Sequence, residues 1–333
     1  MRFNEAKNAI LSTYQQLGAV EAPVTYLESD PGTGKTTIGQ SIAEDLGIKP
    51  ERTYIFRPSL HDPVDLTGAP KVTTVTKFMP PAWIKELSTN EPALVLWDEL
   101  PQGQPLMQCA IAGALLDRQI SDVYFGENVY QIATGNPTSS KAGANRVLSQ
   151  VDNRLVHITL DPHIDDWMDW ALNKKLCISY VAWLKTRPEM LMKFDANARA
   201  NPTPRSHEMA CKIPSEHLSH NIYFELLKGT IGEAAAVDYL AFKGLTEELP
   251  TYADIIKAPT KAKVPSNSSH KYAVMAMLVA GMKEEDIGQG FKYLDRFPKE
   301  YHVFYIRGLL RFPSLANHPE FDKRLNDYAS LLN

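Results

Sequence analysis

A glycine-rich segment between an apolar strand-like run and an amphipathic helical run constrains the fold more than any other feature of the sequence. The strand-like run covers residues 24–27, the segment SDPGTGKTT covers residues 29–37, and the helical run covers residues 36–46. Gly32 and Gly34 permit a turn tight enough for backbone N–H groups to point inward, towards an anion. The following helix places the positive end of its dipole at the same point. A strand, a turn and a helix in this order are typical of an α/β fold with a parallel sheet.

The alternation of strand and helix continues through the first half of the chain. Further β-type runs lie at residues 54–56, 93–97, 130–134 and 155–160, with helix-like stretches between them. We therefore predict a central parallel sheet that helices cover on both faces. Beyond residue 162 the strand signals almost vanish and the sequence has helical spacing. A polar, proline-containing segment at residues 256–270 predicts a domain boundary near residue 250.

Composition and charge exclude several classes of protein. With 333 residues, 44% of them hydrophobic and 22% charged, the chain has an ordinary globular composition. Its net charge of −4 provides no bulk cationic surface, so we expect no nucleic-acid partner. The longest mostly apolar run, residues 272–282, is shorter than the about 20 residues of a membrane-spanning helix, so we expect no membrane contact. Three scattered cysteines and a charged beginning of the chain favour a cytoplasmic location.

The glycine-rich segment matches the phosphate-binding pattern GxxxxGK[ST], with Ser29 in place of the first glycine. Lys35 is expected to supply a positive charge to the β- and γ-phosphates of a nucleotide, and the Thr36 hydroxyl to bind Mg²⁺. A chance turn is the alternative, which the strand and helix on either side disfavour. The predicted nucleotide-binding residues are Asp30, Pro31, Gly32, Thr33, Gly34, Lys35, Thr36 and Thr37.

Two adjacent acids follow the apolar run at residues 93–97. This strand would carry Asp98 and Glu99 to the carboxyl edge of the sheet, where ligands bind in open α/β folds. We expect Asp98 to hold the Mg²⁺ ion, directly or through water. Glu99 would point the other way, since side chains alternate along a strand, and would polarise a water that attacks the γ-phosphorus. Two solvated acids at the end of a strand are the alternative.

The order of these motifs resembles an AAA+ ATPase, and more narrowly a MoxR-type ATPase of the helix-2-insert clade, over roughly residues 20–245. The matching segments are GxPGxGKT at residues 29–36, a DLxGxP-like segment at residues 65–70, the acids Asp98 and Glu99, and an LLEAMEERQ-like stretch at residues 114–119. The resemblance implies an α/β P-loop AAA+ core with a central parallel sheet over residues 1–162. It also implies an α-helical lid over residues 163–249, followed by a helical C-terminal extension over residues 250–333.

Two further catalytic residues are implied by the same resemblance. Asn136, in ATGNP at residues 133–137, would orient the attacking water beside Glu99, with backbone capping as the alternative. Arg154, in QVDNRL at residues 150–155, would be the arginine finger that reaches a neighbouring subunit's γ-phosphate. A surface ion pair is the alternative for Arg154, and Arg146 is the second candidate for the finger.

Arg205 is the implied contact from the lid. It ends the segment NPTPR at residues 201–205, which is similar to a GxSPR signature that opens a lid helix. Pro204 would stand at the first position of that helix. An arginine at the start of a helix without a partner is the alternative, in a place where the helix dipole disfavours a cation.

The resemblance implies a homo-oligomeric, hexameric ring that hydrolyses ATP to ADP with Mg²⁺ at its subunit interfaces and remodels or activates a partner protein. In related proteins such partners often carry a von Willebrand A-type domain. A nucleotide-gated binding module with little turnover is one alternative. A nucleic-acid motor is another, which the net charge disfavours. The preference for ATP over GTP is likewise implied by the family alone.

Overall fold

The computed structural model describes residues 1–72, 74, 76–137, 147–244, 249–316, 318–321 and 324–325. The chain divides into two compact units, Met1–Pro162 and His163–Asn333. Within the described ranges, no helix has both the length and the apolar content that crossing a bilayer requires.

The first unit contains all the strands of the described chain and several helices. Its helices are α1 (Phe3–Glu21), α2 (Lys35–Asp45), α3 (Val64–Thr67), α4 (Ala82–Glu86), α5 (Pro105–Asp117) and α6 (Ser149–Asp152). Its strands are β1 (Val24–Glu28), β2 (Thr53–Phe56), β3 (Ala69–Val72), β4 (Thr76–Met79), β5 (Ala93–Trp97), β6 (Gln119–Ile120), β7 (Val123–Tyr124), β8 (Val129–Gly135) and β9 (Leu155–Thr159).

Five of these strands form the central sheet, in the order β2-β5-β8-β1-β9. Every neighbouring pair is parallel. The pairs β3–β4 and β6–β7 form two small antiparallel hairpins outside it. The predicted fold class, an α/β core with a parallel central sheet followed by helices, is therefore confirmed.

Strand β5 shows why this sequence makes a parallel sheet covered on both faces. All five of its residues are buried, as a continuous apolar run in a central parallel strand should be. Val95 and Trp97 pack into the core on one face of the sheet. Leu94 and Leu96 pack into a second core on the other face, against helices α1 and α2.

The register brings the ends of four strands to one edge. Glu28 of β1 lies opposite Gly135 of β8, and Phe56 of β2 lies opposite Trp97 of β5. The residues that follow these strands therefore leave the sheet side by side. Gly135 is required at this point, because a Cβ atom there would collide with the buried hydroxyl of Tyr26.

The second unit is helical. Its helices are α7 (Ile164–Asn173), α8 (Ile178–Thr186), α9 (Pro204–Cys211), α10 (His220–Ile231), α11 (Glu233–Gly244), α12 (Tyr252–Lys257), α13 (Ser268–Gly281), α14 (Ile287–Leu294), α15 (Lys299–Leu309) and α16 (Pro313–Ala316). The sequence predicts a boundary near residue 250, but the helices before and after that position share one core. Helices α8 and α13 are apolar around most of their circumference and pack together, so the polar segment at 256–270 connects two parts of one core.

A buried histidine is part of this core. His207 on α9 has no exposed surface, and its Nε2 donates to the Met190 carbonyl at 2.8 Å. Its Nδ1 therefore carries no proton and accepts a hydrogen bond from the Tyr180 hydroxyl, also at 2.8 Å. Burial disfavours the charged imidazolium and lowers the pKa of His207 to about 4.

This histidine predicts an acid-dependent loss of stability in the helical unit. The unfolded chain binds a proton at the ordinary pKa of about 6.5, while the folded chain resists protonation until about pH 4. Stability is therefore complete above pH 6.5 and falls as the pH drops below it, by about 3 kcal/mol at pH 4. Denaturant titration measures the free energy of unfolding at pH 7 and at pH 4. The difference between these two values should be about 3 kcal/mol smaller in His207→Gln than in the unaltered protein.

The exposed His217 provides the matched control for this measurement. His217→Gln should keep the acid sensitivity of the unaltered protein. An equally steep acid dependence in His207→Gln would show that the buried imidazole is not its source.

Candidate functional site

The loop after β1 builds a cradle for an anion. Gly32 and Gly34 adopt left-handed conformations, with φ of 84° and 98°, which side chains other than glycine rarely tolerate. Gly34 is the N-cap of α2, so the first free N–H groups of that helix, and the positive end of its dipole, lie at the loop. This arrangement is suited to phosphate binding.

Lys35, the first residue of α2, is held inside this loop. It is 7% exposed, and its Nζ donates to the carbonyl oxygens of Ser29 at 2.6 Å and Asp30 at 3.0 Å. Nζ also donates to Oδ1 of Asn136, the residue that follows β8, at 2.8 Å. These acceptors are neutral, and a charged phosphate oxygen would be a stronger acceptor for the same ammonium group.

Ser29 replaces the first glycine of the motif without straining the loop. Its φ is not in the left-handed range, so a side chain is tolerated there. Its hydroxyl accepts a hydrogen bond from Lys35 Nζ at 3.3 Å and is hydrogen-bonded to the Thr33 hydroxyl. The Thr33 hydroxyl also donates to the Asp30 carbonyl at 3.1 Å. The serine is therefore part of the hydrogen-bonding that shapes the loop.

Asp98 is the buried carboxylate next to this loop, with 4% of its surface exposed. Its Oδ1 accepts hydrogen bonds from the hydroxyls of Thr36 at 3.0 Å and Thr134 at 2.8 Å. Its Oδ2 accepts from Arg57 Nε at 3.1 Å. These contacts satisfy a carboxylate that would otherwise be costly to bury.

Glu99 has an unusual backbone conformation beside this carboxylate. Its φ of 58° and ψ of 43° are left-handed, which is uncommon for a residue other than glycine. The hydroxyl of Thr134 accepts the Glu99 N–H at 3.0 Å, while it donates to Asp98. Strand β5 ends at Trp97, so the expected alternation along the strand does not orient Glu99. The left-handed backbone of Glu99 sets the direction of its side chain instead. The prediction that strand alternation orients Glu99 is therefore wrong.

The remaining predicted loop residues differ in how far they are exposed to solvent. Asp30 and Pro31 are partly exposed, and Thr37, the third residue of α2, is exposed. The structure brings Lys35, Thr36, Asp98 and Asn136 together at one edge of the sheet. These four side chains come from the elements around three adjacent strands, β1, β8 and β5.

Arg154 lies at the opposite edge of the sheet. It immediately precedes β9, whose first residue, Leu155, is paired with Val24 at the start of β1. The other end of β1, Glu28, leads into the loop of Lys35 and lies about 13 Å further along the strand, at about 3.3 Å per residue. The Arg154 guanidinium is partly buried and donates from Nη1 to the Ala112 carbonyl at 3.0 Å. Arg154 is therefore not among the residues around Lys35 in this chain.

Neither of the other two predicted arginines belongs to the described residues of the first unit. Arg146 lies outside the residues that the structure describes. Arg205 belongs to the helical unit, where it is exposed at the second position of α9. Pro204 is the first residue of that helix, and Thr203 caps it with a hydrogen bond from the Ser206 N–H at 3.1 Å.

Sequence reasoning missed two residues of the site, Arg57 and Thr134. Arg57 directly follows β2, and an arginine just after a strand of a parallel sheet could have been placed at the carboxyl edge. Thr134 is a fully buried polar residue in the otherwise apolar end of β8. Its hydroxyl has no obvious role until the strand order places β8 beside β5.

The donor atoms at this edge fit a magnesium ion that a nucleotide brings with it. The Thr36 hydroxyl and the Asp98 carboxylate are the oxygen ligands that Mg²⁺ prefers, and phosphates and water normally complete its shell. A site built from protein ligands alone would need more acids. Among the described residues, no group of three or more His, Cys, Asp or Glu is placed to hold a metal.

Comparison with known proteins gives structural similarity only. No protein-family model matches the chain, and no curated protein is similar to it in sequence. A mutant of RuvB from Thermotoga maritima is 14% identical with a TM-score of 0.42, and the match covers 86% of this chain and 86% of that chain. The RuvB Holliday junction branch migration motor of the same organism is 15% identical with a TM-score of 0.39, with the same coverage of both chains. These TM-scores lie below 0.5, so we base the function proposed below on the geometry of the site.

The contact between Arg57 and Asp98 predicts how this edge responds to magnesium. The guanidinium occupies Oδ2 of the carboxylate, with the Arg57 side chain 47% exposed, and so competes with a cation for Asp98. Removing it in Arg57→Ala should lower the Mg²⁺ concentration needed for half-maximal binding of a fluorescent ATP analogue. A partly exposed ion pair contributes up to about 1 kcal/mol, which corresponds to about a fivefold shift.

Arg187→Ala is the matched control, because Arg187 forms a similar partly exposed pair with Asp238, at 3.4 Å, in the helical unit. It should leave the magnesium titration unchanged. An unchanged or higher magnesium requirement in Arg57→Ala would mean that Arg57 does not compete for this carboxylate.

Proposed function

We propose that this chain is a magnesium-dependent ATPase that binds the triphosphate of ATP in the loop between β1 and α2. The observation that carries the proposal is the convergence of a buried ammonium group and a buried carboxylate at one sheet edge. Lys35 Nζ lies 2.8 Å from Asn136 Oδ1, and Thr36 Oγ1 lies 3.0 Å from Asp98 Oδ1. A cationic loop next to an acidic strand end is what phosphoryl transfer requires.

Each group has a defined task in this proposal. Lys35 and the N–H groups of the loop bind the β- and γ-phosphates, and an oxyanion replaces the neutral acceptors of the ammonium group. Thr36 and Asp98 hold the magnesium ion, which neutralises charge that develops on the phosphates. Thr134 keeps Asp98 in place from the buried end of β8.

Glu99 and Asn136 are the groups that we assign to the attacking water. Glu99 is partly exposed and directly follows the buried Asp98. Its left-handed backbone supports a functional role, because such conformations outside glycine are concentrated at functional sites. Asn136 bonds to Lys35 and is therefore within reach of the γ-phosphate that the lysine would bind.

A role for Arg154 in catalysis would require a second copy of the chain. Its position at the amino-terminal edge of the sheet separates it from the loop of its own unit. An arginine that stabilises the transition state from a neighbouring subunit is worth about 10³ to 10⁵ in rate. From the resemblance that gives Arg154 this role, we propose that the ATPase works as a homo-oligomeric ring.

The AAA+ assignment and its MoxR-type refinement rest on the sequence motifs given above. The motif order in the sheet supports the broader class, since the glycine-rich loop follows β1 and the acids follow β5, with one strand, β8, between them. The remodelling of a partner protein, the hexameric number and the lid contact of Arg205 stay predictions of the resemblance.

The variant Glu99→Gln tests the proposed chemistry. It keeps the shape and polarity of the side chain but removes the carboxylate that activates water. ATP binding should stay within about twofold of that of the unaltered protein, whereas steady-state hydrolysis should fall by about 10² or more. Binding is measured with a fluorescent ATP analogue and turnover by phosphate release, both with and without Mg²⁺.

The exposed Glu127, in the loop before β8, offers a matched control in Glu127→Gln. This control should hydrolyse ATP normally. Unaltered turnover in Glu99→Gln would remove Glu99 from catalysis, and a protein that binds ATP without any magnesium-dependent turnover would contradict the ATPase proposal itself.

A further inference from the structure

A cavity of about 470 Å³ lies in the helical unit, between the end of α7 and the region of α15 and α16. Its polar lining consists of Asp169, Asn173, Lys175, Arg307 and Arg311. Two leucines and a proline complete the wall. Cavities of this size hold small organic molecules in many proteins.

The cavity has a positive charge that its own acid does not balance. Three of its polar side chains are cationic and one is anionic. Arg307 forms an ion pair with Asp169, which accounts for one cation and the acid. The salt bridges of the described chain include neither Lys175 nor Arg311. Lys175 and Arg311 therefore line the cavity without an acidic partner among the described salt bridges.

Arg311 is partly satisfied by a neutral group. One of its terminal nitrogens, Nη2, donates to the Leu176 carbonyl at 2.7 Å. Its Nε is buried and has no hydrogen-bond partner within the described part of the chain. An unpaired buried N–H of a cationic group is costly, and a guanidinium presents Nε and Nη as a planar fork that matches a carboxylate or phosphate.

Lys175 reaches the cavity from a strained backbone position. It follows the end of α7, where its φ of 56° is left-handed. Glycine is the residue that usually occupies such a position after a helix. A lysine here also interacts favourably with the negative end of the helix dipole. A role for Lys175 in stabilising the end of α7 is therefore the alternative to ligand binding, and the two roles predict different results for its substitution.

We propose that this cavity binds a metabolite-sized organic anion through a phosphate or carboxylate group. The oxyanion contacts Arg311 and Lys175, and the carbon skeleton of the ligand lies against Leu172, Leu310 and Pro313. The ion pair between Arg307 and Asp169 forms part of the polar wall and fixes the position of α15 relative to α7. Every lining residue of this cavity belongs to the helical unit.

Calorimetric titration at low ionic strength tests the proposal with three probes: inorganic phosphate, glycerol 3-phosphate and succinate. The titrations use Lys35→Ala protein, so that phosphate binding at the glycine-rich loop does not contribute. We expect saturable binding of one equivalent of at least one organic probe. Binding of the phosphate ester alone assigns a phosphate-bearing ligand, and binding of succinate alone assigns a carboxylate-bearing one.

Two variants separate ligand binding from a structural role. Arg311→Gln should weaken binding about tenfold, because it removes a charged fork. Lys175→Gly should weaken binding about threefold while its melting temperature stays the same or rises, since glycine tolerates the left-handed position. If Lys175 serves only the helix dipole, Lys175→Gly loses stability and leaves binding unchanged.

Arg296→Gln is the matched control, because Arg296 also donates to backbone carbonyls, those of Pro259 and Ala262, but does not line the cavity. It should bind the probes normally. The proposal is overturned if neither glycerol 3-phosphate nor succinate binds at millimolar concentration, whether or not inorganic phosphate does, or if Arg311→Gln and Lys175→Gly both bind as tightly as the control.

Discussion

The burial of two opposite charges at the edge of the sheet is the constraint on which the site depends. Lys35 and Asp98 are both almost inaccessible to water, and a buried charge is tolerated only when hydrogen bonds satisfy it. The lysine is satisfied by the loop after β1 and by Asn136 after β8. The aspartate is satisfied by Thr36 on α2 and Thr134 on β8. The two charges thus fix the ends of β1, β5 and β8 relative to the loop.

The same hydrogen bonds explain why the site can be assembled before a ligand arrives. Each donor or acceptor at the edge is attached to a buried strand or to the start of a helix, and the strands themselves are packed on both faces. In the proposed function, phosphate binding requires the exchange of neutral acceptors for charged ones at Lys35, without a rearrangement of the sheet. Arg57 differs from the other groups because its side chain is half exposed, so it can move into water when a cation takes its place at Asp98.

Much of the first unit could be predicted from the sequence because its signals are local. The glycines of the loop, the apolar run of β5 and the two acids that follow it each identify an element and its end. Thr134 and Arg57 could not be assigned in this way, since their roles depend on which strands are neighbours. The orientation of Glu99 was also out of reach, because β5 ends two residues before Glu99, whereas the alternation argument requires the strand to reach it. In the helical unit, the polar segment at 256–270 suggested a boundary, but the apolar surfaces of α8 and α13 join both sides in one core.

Equilibrium binding of ATP in the presence of Mg²⁺ tests the central claim most directly. The account predicts saturable binding of one ATP per chain, and a loss of at least about 100-fold in affinity in Lys35→Ala, since a buried charged contact to phosphate is removed. Lys49→Ala, a change at an exposed lysine of the same unit, should bind like the unaltered protein. Absence of binding to the unaltered protein, or equal affinity in Lys35→Ala, would contradict the account.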